Sequence, residues 1–470
     1  MTQVGTAEAP LRVAIIGSGP AGFYTAEHLS KRGNLVAHID MFERLPMPFG
    51  LVRFGVAPDH QRIKGATKAF GRVAARPGFR FFGNVEFGGH VSLEDLRRHY
   101  HVICCATGAQ TDRTMGIPGE DLGRSHPATE FVAWYNGHPD FRDCAFDLSV
   151  ERVVVVGVGN VAVDVARILA RTAAELEKTD VADYALEALR ASRVKEICVL
   201  GRRGPAQAAF TNAELKELGE LEGADLVIPA EDAALDPLSR EALEAANDRT
   251  VSKKVEILQE LARRPPAGRP KRLVLRFLVS PVELIADDRG NVASVRLVKN
   301  ALFRADDGTL RPRATDVIEE LPAQLVFRSV GYRGVPLAGI PFDDRRGVVP
   351  NVHGRVVSQE TGEPVPGLYV SGWIKRGPTG IIGANKPDAG ETVESILSDV
   401  AAGAVLQPPD PDPGALERLL RERQPDVVSF DDWRRIDAFE AESGAASGRP
   451  RVKVTSVQQA LDVMRRAGRG

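Results

Sequence analysis

Residues 152–162 read RVVVVGVGNVA. Four valines run without polar interruption into Gly157, and Gly157-Val158-Gly159-Asn160-Val161-Ala162 has the spacing G-x-G-x-x-A. A continuous apolar run suits a strand buried on both faces, as in a parallel sheet. Glycines at this spacing suit the turn from such a strand into a helix, where a dinucleotide pyrophosphate can rest on free N–H groups. The start of the chain carries the same pattern in LRVAIIGSGPAG, Leu11 to Gly22. Two turns of one kind in one chain decide the fold and pose the question of why two are needed.

Further short apolar runs end in glycine: HVICCATG (101–108), EICVLG (196–201), QLVFRSVG (324–331) and LYVSG (368–372). Helical patterns lie between several of them, as in AEHLSKR (26–32) and AVDVARILARTAAELEK (162–178). Alternating strands and helices imply an α/β fold with two Rossmann-like dinucleotide-binding domains. The chain has 470 residues, enough for two or three domains. PPDPDPG (408–414) reads as a surface linker before a C-terminal segment.

In the first turn, Gly17 allows the tight bend, Gly19 lets backbone approach a pyrophosphate, and Gly22 allows close helix packing. The next strand, VAHIDMFE (36–43), ends in Glu43, 21 residues past Gly22. An acid there suits ribose hydroxyls. The motif alone fits FAD or NAD. In the second unit the strand EICVLG ends at Gly201, and Arg202 and Arg203 follow where an NAD site usually places an acid. Two guanidiniums bind a 2′-phosphate that a carboxylate would repel, which favours NADP. Taken alone, GRRG is equally a solvated basic turn. A fixed flavin at one site and an exchangeable nicotinamide at the other would explain the pair.

Composition excludes little and agrees with this. The chain is 43% hydrophobic and 26% charged with net charge −2, which gives no overall pull toward nucleic acid or membrane. The four cysteines, Cys104, Cys105, Cys144 and Cys198, form no C-x-x-C pair and no metal-ligand spacing, so no metal site is expected. No run reaches membrane-span length, and no leader pattern opens the chain. The cytoplasm and a monomer are the default expectations.

Several blocks then resemble adrenodoxin reductase-type ferredoxin–NADP+ reductases, in family order from about residue 12 onward. They include GSGPAG (17–22), LPMPFGLVRFGVAPDH (45–60), FFGNV (81–85), IPGED (117–121), GNVAVDVARIL (159–169), GRRGPAQAAFTNAELKEL (201–218), RSVGYRG (328–334) and GWIKRGPTGIIGANKPDA (372–389). GRPRVKV (448–454) resembles bacterial members. The resemblance implies a discontinuous FAD-binding domain, residues 1–109 and 328–470, with an NADP-binding domain, 110–327, inserted. It implies FAD contacts at Ala21, Glu43, Leu51, Val85, Trp373, Gly380, Ile381 and Ile382. NADP contacts would be Arg113, Val158, Gly159, Asn160, Val161, Arg202, Arg203 and Glu214, with Gly380 near the nicotinamide. Val158 departs from relatives that carry a polar residue there, at little expected cost, because backbone does the phosphate work.

The resemblance further places His60 near flavin and nicotinamide, with Glu217 as its acidic partner. A carboxylate would orient the imidazole. From the residues alone, His60 is a lone histidine after a proline-containing turn. In GWIKRGPTGIIGANK the tryptophan and Gly-rich turn lead into a helix whose positive end suits a reduced flavin. The implied activity is hydride transfer between NADPH and FAD, then single-electron transfer to a ferredoxin-type iron–sulfur protein. Between Arg249 and Arg272 lie Arg249, Lys253, Lys254, Arg263, Arg264, Arg269, Lys271 and Arg272, a basic region suited to steering an acidic ferredoxin. A solvated basic face would look the same. Disulfide reductases share two dinucleotide sites but need a reactive cysteine pair; a sensor would bind NADPH without turning over.

Overall fold

The structure, a computed structural model, describes residues 4–467. The chain divides into two compact units, one of residues 1–56, 60–111 and 331–470, the other of residues 57–59 and 112–330.

The first unit is built on a seven-stranded sheet. Strand Leu11–Ile16 is completely buried along its length. It pairs in parallel with Ala37–Glu43 on one side and Val102–Cys105 on the other. Phe79–Gly83 adds beyond the former and Pro364–Val370 beyond the latter, both parallel. Two short antiparallel strands, Asn351–Val352 and Arg355–Val357, finish that edge. Strand order therefore reverses direction at the C-terminal end of Leu11–Ile16, the kind of crevice where α/β sheets bind ligands.

The second unit repeats the plan with an all-parallel sheet of six strands. Arg152–Val156 lies between Glu196–Leu200 and Leu325–Arg328, so its glycine turn also sits at a point where strand order reverses. A three-stranded antiparallel sheet, Val279–Ala286, Val292–Arg304 and Leu310–Pro322, joins this unit.

The helical run expected over 162–178 is broken. One helix spans Asn160–Ala170 and a second starts at Ala173. Thr172 stops the first by forming a capping box with Glu175: its hydroxyl accepts from the Glu175 N–H, and the Glu175 side chain accepts from the Thr172 N–H. Two backbone donors satisfied together outweigh continuation of the helix. Among the described residues, no helix is long and apolar enough to cross a membrane.

Candidate functional site

Both turns are built alike. Gly17 has φ +105°, and a methyl placed on it would lie 2.6 Å from the carbonyl oxygen of Ala106. Gly157 has φ +130°, and its methyl would lie 2.2 Å from the carbonyl oxygen of Ser329. Only glycine fits these bends. Gly22 packs against the Gly17 carbonyl, with 2.2 Å for an added methyl, and Ala162 is fully buried at the equivalent place. Gly19 and Gly159 differ from these: nothing lies within 4 Å of a side chain added there. Each opens a helix, Pro20–Ser30 and Asn160–Ala170, with no side-chain cap on its first N–H groups. An open cradle facing uncapped donors at a helix N-terminus fits a pyrophosphate in both units.

In the first unit Glu43 points back at its turn. One carboxylate oxygen accepts from the Ser18 hydroxyl at 2.6 Å and the Ser18 N–H at 3.2 Å; the other accepts from the Leu45 N–H at 3.1 Å. Ala21 is buried against Gly372, where an added methyl would meet the Ala21 methyl at 2.5 Å. This brings the turn beside Trp373, whose indole N–H donates to the Thr379 carbonyl at 3.0 Å and whose ring lies 5.3 Å from Tyr332. Gly380 and Ile381 are exposed, with Ile381 at 63%, and Ile382 begins a turn that leads into the helix Asn385–Ala402. Leu51 is exposed beside Gly50, whereas Val85 is buried. Lys375 is not a surface charge: it is buried against Glu391 at 2.7 Å and Asp388 at 3.3 Å, and Asp388 accepts the Gly372 N–H at 2.6 Å.

In the second unit the loop after Glu196–Leu200 folds over the second turn. Val158 offers its carbonyl to the N–H groups of Ala209 and Phe210, at 2.9 and 3.1 Å, and Asn160 accepts from the Thr211 N–H at 3.1 Å. The backbone of Arg202 and Arg203 is held from behind by Asn300 and Leu278. Among the described residues, neither guanidinium has a hydrogen-bond or ion-pair partner. Burial, and then the like charge of Arg202, lower the Arg203 pKa. Two adjacent cations with no anion call for one, and a phosphate supplies it bidentately. Arg113 is exposed and Val161 half-buried.

Glu214 is buried in a cluster that sequence reading missed. Arg167, fully buried, donates to Asp59 through Nε and Nη2 at 2.7 and 3.1 Å, to Asp164 at 2.7 Å and to Glu214 at 3.1 Å; Glu217 lies 3.8 Å away. Arg171 joins Asp59 at 2.8 Å. The one available signal was Asp164-x-x-Arg167 inside an otherwise apolar helix. His60 belongs to the first unit, half-buried at the start of the helix Gln61–Lys64.

The family model for pyridine nucleotide-disulphide oxidoreductases matches residues 11–198. The chain is 46% identical to NADPH-ferredoxin reductase FprA of Mycobacterium tuberculosis, over 97% of this chain and 99% of that one. It is 42% identical to the mitochondrial NADPH:adrenodoxin oxidoreductase of Bos taurus, over 98% and 93%. The solved structure of Mycobacterium tuberculosis FprA in complex with NADPH superposes with a TM-score of 0.91 at 45% identity, over 97% and 99%. The chain belongs to the ferredoxin and adrenodoxin reductase family.

Like those reductases it is an oxidoreductase with sites for FAD and NADP(H). Cys104, Cys105 and Cys198 are buried, and burial pushes the Cys105 and Cys198 thiols up to about 12.

The basic region needs correction at two positions. Lys254 is buried, its amine 2.5 Å from the Ala208 carbonyl, and Lys271 donates to the Leu169 carbonyl at 2.6 Å. Burial lowers the pKa of both. Their aliphatic stems pack inward and each ammonium ends on a carbonyl. Lys253, Arg264, Arg269 and Arg272 are paired with Glu256, Glu260, Asp225 and Glu196. Arg249 and Arg263 are exposed and have no ion-pair partner among the described residues.

Proposed function

We propose that this chain is a FAD-dependent ferredoxin–NADP+ reductase, with FAD in the first unit and NADP(H) in the second. The observation that carries the reading is the pair of matched turns, each at a strand-order reversal, only one of which is followed by unpartnered arginines. Bound FAD would take a hydride from NADPH and release electrons singly to an iron–sulfur protein, a conversion that needs a flavin between donor and acceptor.

The chain's own residues bind and orient. Gly19 and Gly159 leave room for each pyrophosphate, Glu43 faces the ribose end of the first turn, and Arg202 with Arg203 select the 2′-phosphate. His60 and Glu217 would orient the reacting rings. What supports this is that Arg167 fixes Asp59, the residue before His60, and lies 3.8 Å from Glu217. Docking of an acidic ferredoxin is assigned to the exposed members of the basic region, led by Arg249 and Arg263. Both are exposed and have no ion-pair partner among the described residues, so their charge is available for steering. One chain contains both turns, so a monomer suffices.

The test is an anaerobic visible spectrum of the purified protein with matched additions of NADPH and NADH. A bound flavin that bleaches with NADPH and poorly with NADH supports the reading. A colourless protein, or a flavin indifferent to both, rejects it.

A further inference from the structure

GRPRVKV (448–454) has no part in either turn, yet it is tied to the first one through an ionic cluster. Phe49 and Gly50 adopt left-handed conformations, φ +86° and +49°. The Phe49 N–H donates to the Ser18 carbonyl at 3.0 Å, and a methyl on Gly50 would lie 3.1 Å from the Gly19 Cα. This bend is therefore a wall of the open cradle at Gly19. A left-handed phenylalanine is costly and persists only where its surroundings fix it.

The C-terminal segment supplies that fixing at three points. Trp433 and Phe430, on the helix Phe430–Ala446, meet the Phe49 ring edge-on at 5.8 and 6.4 Å. Arg53, on the helix that follows Gly50, is buried and makes a two-armed pair with Glu440 at 2.9 and 2.5 Å. Val428 and Gly83 exchange backbone hydrogen bonds of 2.9 and 2.8 Å at the end of the strand beside Glu43. Glu440 is completely buried. It also accepts from Arg451 at 2.9 Å and from the Val454 N–H at 2.7 Å, so two residues of GRPRVKV are tied to one carboxylate. Burial alone would raise its pKa; Arg53 and Arg451 overcome this and hold it below the ordinary value.

We propose that residues 426–454 brace the first dinucleotide cradle, with Glu440 as the positioning residue that holds the Phe49–Gly50 wall through Arg53. This rests on the reading that FAD occupies the first unit. Pre-organising a site slows ligand escape more than it speeds capture.

The experiment follows release of FAD from the holoprotein by the rise in flavin fluorescence on dilution, for wild type, Glu440→Gln and Arg451→Gln. NADP+ affinity is measured on the same samples. Release is expected to quicken about tenfold in Glu440→Gln and about threefold in Arg451→Gln, with NADP+ affinity within about twofold of wild type. Unchanged release in a folded Glu440→Gln protein overturns the proposal, as does an equal loss of both affinities, which marks a general structural role. Should Glu440→Gln fail to fold, Arg451→Gln decides by the same criteria, because its side chain is 27% exposed. A wild-type protein without FAD sinks the cofactor reading instead.

Discussion

Arg167 closes a two-armed pair on Asp59 across 108 residues of sequence, at 2.7 and 3.1 Å, with its guanidinium wholly buried. Asp164 and Glu214 accept from the same guanidinium. Replacing Arg167 by leucine removes the buried cation shared by Asp59, Asp164 and Glu214 and leaves Arg171 paired with Asp59. The expected loss is about 3–5 kcal/mol of stability, read from the denaturant midpoint. Lysine should rescue little, because one ammonium cannot reproduce the planar fork. A leucine variant as stable as wild type contradicts this account.

Gly157→Ala places a methyl 2.2 Å from the Ser329 carbonyl, in a conformation alanine avoids. The local cost is about 2 kcal/mol or more. The nicotinamide nucleotide should bind at least about tenfold more weakly, while flavin content, set by the other turn, stays at the wild-type ratio. Titration with NADP+ and the visible spectrum check the two halves separately.

Arg202→Ala and Arg203→Ala each remove charge-assisted bonds to a 2′-phosphate. Each is expected to raise the KM for NADPH about ten- to a hundredfold and to leave that for NADH nearly unchanged. Equal effects on both nucleotides would assign these arginines a role outside discrimination.

Asp112 sets a pH dependence of stability. Burial, and then the charge of Glu130, push its carboxyl up to about 7. Between the ordinary value of 3.8 and 7 the folded state holds a proton that the unfolded state has lost. Its stabilising contribution is therefore complete below the lower value, falls as pH rises through that window, and levels off above it. Asp112→Asn should flatten this slope and be the more stable form at pH 7. Denaturant midpoints at intervals from pH 4 to 8 measure it.

Much of the frame was legible because buried parallel strands leave continuous apolar runs, and both runs that end in a tight turn end in glycine. The place of Arg202 and Arg203 just after the strand Glu196–Leu200 was legible because strand order defines that slot. Arg167 was not: its main partner is remote in sequence, and an Asp-Arg pair on a helix reads first as solvated. Lys254 and Lys271 were miscounted as surface cations, since composition records a charge but not the carbonyl that receives it. The break at Thr172 lost to helical periodicity because a capping box is worth more than the propensity of the residues around it. The brace at Glu440 joins Arg53 to a residue 387 positions away, beyond any local pattern.

The sheet of the first unit also imposes a schedule on synthesis. Leu11–Ile16 and Val102–Cys105 leave the ribosome early, but Pro364–Val370, which pairs with Val102–Cys105, follows only after all of the second unit. The second unit is almost one uninterrupted stretch and closes from its own residues. The glycine turn made first is thus the one finished last. Nascent chains halted before residue 364 should retain NADP+ on an affinity matrix and hold no flavin.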